Sequence, residues 1–135
     1  MLIDSHCHLD VFAADASLPD VVRRAREAGV TQMLTMGTSA ADWPLYAKMA
    51  ADYPGVIHWG AGLHPTEVGE DWEEQIASLA SWFATSPQPV AIGEVGLDCH
   101  HLPADPAEAE TVISMRKAAF AAQLEIAYQL GCPVV

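Results

Sequence analysis

Apolar residues along this chain fall into two patterns that take turns. Short stretches that are almost wholly apolar or β-branched read as strands: Val30 to Met36, Val56 to Ala61 and Val90 to Gly93. Met1 to Ser5 is a first strand, and Pro133-Val134-Val135 begins a fifth. Between them, apolar positions recur at helical spacing. Trp72, Ile76, Leu79 and Phe83 mark one stripe of an amphipathic helix over 71–83. Val112, Met115, Ala119, Ala122, Ile126 and Leu130 mark another over 107–130, which Gly131 closes. Ser17-Leu18-Pro19-Asp20 has the hydroxyl, proline and acid of a helix start, so a helix runs to Ala28 and ends at Gly29. Gly37-Thr38-Ser39 offers a cap for a further helix over 40–52, which Pro54-Gly55 breaks.

The order is four βα units and the start of another, with residues 94–106 as a long loop. This predicts an α/β domain of parallel strands joined by right-handed helical crossovers. A doubly wound sheet and a broken barrel both satisfy it. Walker and Rossmann glycine fingerprints are absent, so nothing points to a nucleotide cofactor.

Composition narrows the function classes. With 135 residues and 51% hydrophobic content the chain is one domain long and can bury a core. No apolar run approaches the roughly 18–20 residues of a membrane span, and no basic residue precedes Asp4 as in a signal peptide. A cytoplasmic protein is expected. Cys7, Cys99 and Cys132 are odd in number and widely spaced, which suits reduced, mostly buried thiols. Acidic residues outnumber basic ones 18 to 6, for a net charge of -12, so a long basic footprint for a nucleic-acid backbone is missing. A phosphate bound here must be held mainly by metal.

The candidate chemistry sits where the strands end, the active face of either fold. Asp4, His6 and His8 share parity across the first strand and so a face, while Cys7 points away. Two imidazoles there can grip a divalent cation, with Asp4 orienting a ring. His64 follows the third strand and Glu94 closes the fourth, which brings imidazole or carboxylate to one rim from three strand ends. Such a set suits zinc, manganese or another borderline divalent ion. Glu94, between Gly93 and Gly96, can bridge a metal pair about 3.5–4 Å apart. Asp98 either orients a ligand or satisfies loop amides. His58, inside the third strand, reads as a satisfied core histidine, and His100 and His101 read as surface residues.

Asp4-Ser-His-Cys-His-Leu-Asp10, Gly62-Leu-His-Pro65, Gly93-Glu-Val-Gly-Leu-Asp98 and Phe120-Ala-Ala-Gln-Leu124 before Pro133-Val-Val resemble, in order and spacing, the TatD family of metal-dependent deoxyribonucleases. The resemblance implies a (β/α)8 TIM barrel of the amidohydrolase superfamily, of which these residues are the amino-terminal half. It implies two divalent ions (Zn, Mn or Mg), His6 and His8 on one and catalytic Glu94 bridging to the second. His64 and Asp98 would meet the substrate, the 3′ end of DNA or another phosphodiester. Cys99 stands where the family usually carries an aromatic residue. The family's further histidine ligands and its catalytic aspartate would follow Val135. Hydrolysis of a small non-nucleic substrate and a non-catalytic, self-associating half-barrel are the rival readings.

Overall fold

The computed structural model describes residues 1–135. Four strands, β1 (Leu2–Cys7), β2 (Val30–Met36), β3 (Ile57–Ala61) and β4 (Ala91–Ile92), pair in parallel in the order β1-β2-β3-β4. Helices α1 (Asp10–Ala14), α2 (Leu18–Glu27), α3 (Trp43–Asp52), α4 (Trp72–Trp82) and α5 (Pro106–Leu130) fill the connections, and a 3-10 turn covers Pro65–Glu67. The result is half of an α/β barrel. The expected fifth strand appears as a single parallel bridge between Ile92 and Val134. No helix is long and apolar enough to cross a membrane.

One large cluster forms the core. Trp43, Tyr46 and Met49 of α3 meet Ile57, Trp59 and Ala61 of β3 and Leu79 of α4, all buried. Trp82 stands edge-on to both Trp43 and Trp59, with centroids 6.4 and 5.6 Å away, a packing that aromatic quadrupoles favour. Both buried indoles keep a partner, since Trp43 Nε1 donates to Gly62 O and Trp59 Nε1 to Pro87 O. At the strand ends the backbones crowd together: a Cβ on Gly62 would lie 2.7 Å from Gly93 C, and one on Gly93 2.7 Å from Val135 O. Only glycine lets these chains approach.

Several expectations change. β1 continues to Cys7, and its register with β2 slips between Asp4 and Cys7, an irregularity that breaks simple alternation. The short α1 lay outside the sequence reading. Ser17 makes no side-chain cap on α2, because its hydroxyl donates instead to Asp15 Oδ1 at 2.5 Å. Likewise the Gly37–Ser39 segment does not cap a helix at 40. The Asp42 carboxylate turns back to accept from Thr38 N, Ser39 N and Thr38 Oγ1, so α3 begins at Trp43. Along α5 the buried face includes polar Arg116 and Gln123, whereas Leu130 is exposed. Cys99 is exposed, against the expectation of mostly buried thiols, and Cys7 and Cys132 are half-buried. Burial, with the Asp4 charge nearby, pushes the Cys7 thiol up to about 12.

Candidate metal centre and its cleft

Three loops at the carboxyl ends of the strands build the site. β1 delivers His6 and, just beyond its end, His8, with ring centroids 5.3 Å apart. β4 is followed at once by Glu94, whose backbone N–H donates to Gly37 O after β2. β3 is followed by His64, whose N–H donates to Thr38 O. The loop after β2 thus contributes carbonyls that hold the other two in place.

The side chains converge on Glu94. His6 Nε2 lies 3.3 Å and His8 Nε2 3.5 Å from Glu94 Oε2, while His64 Nε2 lies 3.6 Å from Oε1. One carboxylate oxygen faces the β1 pair and the other faces His64. In a tetrahedral site with bonds near 2.0–2.1 Å, neighbouring donors sit about 3.3 Å apart. The candidate donor atoms of His6, His8 and Glu94 lie within 4.8 Å of one another, so the set fits one divalent cation with an open side. Asp4 does not orient a ring as expected. Its carboxylate accepts from the backbone N–H of His6 at 3.2 Å and braces the strand end.

Hydrogen bonds assign opposite tautomers to two further histidines. His64 Nδ1 accepts from Thr66 N, which leaves its proton on Nε2, toward Glu94. His101 Nδ1 lies 2.7 Å from Asp98 Oδ2, an acceptor only, and therefore carries the proton. Asp98 Oδ1 also accepts from the N–H groups of His100 and His101. These bonds hold its carboxyl down at about 2, the backbone N–H of His100 contributing most. Asp98 therefore satisfies loop amides and also fixes a side chain.

A cleft of about 360 Å³ joins His64, Glu94, Asp98 and His101. No Lys or Arg lines it. His58 is elsewhere, half-buried beside Pro54, Gly55 and Pro87 in the loops before β3 and β4, and its ring makes no hydrogen bond. The satisfied core histidine expected there is not what the structure shows. His101 is exposed, as a surface residue is expected to be, but its link to Asp98, the burial of Arg116 and the backbone partner of Gln123 had no signal in the sequence. Gln123 brackets the residue before His64, accepting from Leu63 N at 2.7 Å and donating to Leu63 O at 3.2 Å.

Residues 3–135 match the family of TatD related DNases. The chain belongs to that family. Among TatD relatives, the 3'-5' ssDNA/RNA exonuclease TatD of Erwinia tasmaniensis is 40% identical over 114 residues, which is 84% of this chain and 41% of that protein. Its namesake in Klebsiella pneumoniae is 41% identical over 116 residues, 85% of this chain and 40% of that protein. The crystal structure of YJJV, a TatD homolog from Escherichia coli K12, superposes with a TM-score of 0.80 at 26% identity, over 98% of this chain and 49% of that one. This chain thus spans about two fifths of the length of the curated TatD proteins it matches.

Proposed function

We propose that these residues form the amino-terminal half of a metal-dependent TatD-type hydrolase that cleaves phosphodiester bonds of DNA, acting at a 3′ end. The observation that carries this reading is the convergence of His6 and His8 Nε2 on one oxygen of Glu94. His6, His8 and Glu94 hold the cation. Glu94 would also help to hold a second cation, and its Oε1 faces His64 Nε2 at 3.6 Å. A divalent ion there supplies Lewis-acid stabilisation of a phosphate oxygen and a water acidic enough to attack near neutral pH. The chain's own residues do the positioning. His64, its proton directed to the Glu94 side, and Asp98 bound the cleft in which the phosphodiester lies. The exonuclease relatives support a nucleic-acid substrate. The acidic charge and the cleft without Lys or Arg favour the second reading, hydrolysis of a small non-nucleic substrate by the same centre.

Calorimetric titration with zinc or manganese tests the centre, and Glu94→Gln is expected to abolish most of the binding. In a chain completed by its carboxyl-terminal half, hydrolysing a short single-stranded oligonucleotide with manganese, Glu94→Gln is expected to cost far more than Asp98→Asn. A group outside the coordination sphere typically costs about 10–100-fold. Equal losses would refute the ranking, and metal binding with no action on oligonucleotides would turn the reading to the small substrate.

A further inference from the structure

Arg116 is 94% buried by its 6% exposure, and a cation so placed needs compensation. Its guanidinium donates from Nη1 to Asp98 O and from Nη2 to His101 O, the latter at 3.0 Å, and Nη1 stands 3.9 Å from Asp98 Oδ2. Its Nε finds no partner. α5 thus spends a buried charge on fixing both ends of the Asp98–His101 turn, and Asp98 in turn fixes the His101 ring. The outcome is an imidazole whose Nδ1 is committed and whose Nε2 is free, its side chain 70% exposed, on the wall of the cleft shared with Glu94 and His64.

The charges around it define what such a group would take. The Asp98 carboxylate and the Arg116 guanidinium offset each other, and His64 is held with Nδ1 as an acceptor. The other basic side chains with ion-pair partners are spent on helix surfaces, Arg23 and Arg24 with Asp20 and Lys48 with Asp52. On the wall away from His6 and His8, His101 is the ring whose outward Nε2 has no partner while its Nδ1 is bound to Asp98 Oδ2. With a proton on each nitrogen such a ring donates to the Asp98 carboxylate on one side and to an anionic oxygen on the other.

We propose that His101 is a phosphate-binding residue of this cleft, donating from Nε2 to a phosphate oxygen, and that Asp98 and Arg116 are the positioning residues that aim it. This deepens the hydrolase reading and rests on it for the identity of the larger substrate.

The test is an NMR titration of the 135-residue chain with inorganic phosphate at mildly acid pH, following the imidazole signals, with zinc titrated in parallel. Phosphate is expected to move the His101 signals and leave those of His100 nearly still. His101→Ala is expected to weaken phosphate binding about tenfold, the scale of one charge-assisted hydrogen bond. His100→Ala, a neighbouring exposed ring 4.9 Å away, should leave it unchanged. Arg116→Met should shrink the His101 response while the His6 and His8 signals keep their response to zinc. Unmoved His101 signals, or equal losses in the two alanine variants, would overturn the proposal. If zinc fails to move His6 and His8, the metal reading falls, while the phosphate response still decides His101 separately.

Discussion

Asp98 shows how one residue can carry a pH dependence. Its carboxyl is held at about 2, mainly by the His100 N–H, against an ordinary aspartate near 4. A depressed folded-state value means that the charged form is the stabilised one. Its contribution is complete above the ordinary range and is lost as pH falls toward about 2. Asp98→Asn is therefore expected to lower Tm at neutral pH, and the gap to the parent chain should close as pH drops through that window. Thermal melts at stepped pH would show it, and a gap of constant size would contradict the assignment. Cys7 illustrates the opposite direction. Its thiol donates to Leu34 O and stays protonated, so it serves as packing at the end of β1 and offers no nucleophile.

At the scale of elements, α5 is the organiser of the site loops. Gln123 satisfies both the N–H and the C=O of Leu63 from 60 residues away. Gln123→Leu keeps comparable volume but strands two buried backbone groups. We expect it to cost about 2–6 kcal/mol, since each of the two buried groups left unpaired costs about 1–3 kcal/mol. Urea unfolding would measure it, and a loss below about 1 kcal/mol would show that water replaces the amide. This element also marks what could be read in advance. Period 3.6 located α4 and α5, because Trp72, Ile76, Leu79 and Ala119 do pack inward. Gln123 and Arg116 were illegible, since a polar residue on a helix reads as solvent-facing unless its distant backbone partner is known. The metal candidates were legible for a different reason. His6, His8 and Glu94, like the expected substrate residue His64, stand at strand ends, and parallel topology sends strand ends to one rim. His101 depends on a turn closed by Asp98, which no period announces.

At the scale of the molecule, the open half-barrel exposes Met1, Leu2 and Ile3 along β1, and Val134 and Val135 near the opposite edge. Unpaired edges recruit partners. A few hundred Å² of uncovered apolar surface is worth several kcal/mol at about 25 cal/mol per Å². A net charge of -12 opposes association of like copies at low ionic strength. The chain on its own is expected to form dimers or larger species in greater proportion as salt is raised. Light scattering across a salt series after size exclusion would record this, and a monomer at every ionic strength would refute it.

Each strand of the sheet pairs with the strand that follows it in the chain, and this order has a temporal meaning. A nascent polypeptide releases His6 and His8 first and Glu94 only after three βα units have emerged. Early units can dock on one another as they leave the ribosome, each supplying the edge that the next requires. The cluster of His6, His8 and Glu94 is then completed by the last of the four strands to add, and affinity for a cation would arise in one step at the end of assembly. Uptake of a metal would serve as a clock for completion of this sheet, silent through the early units and sounding once β4 has docked.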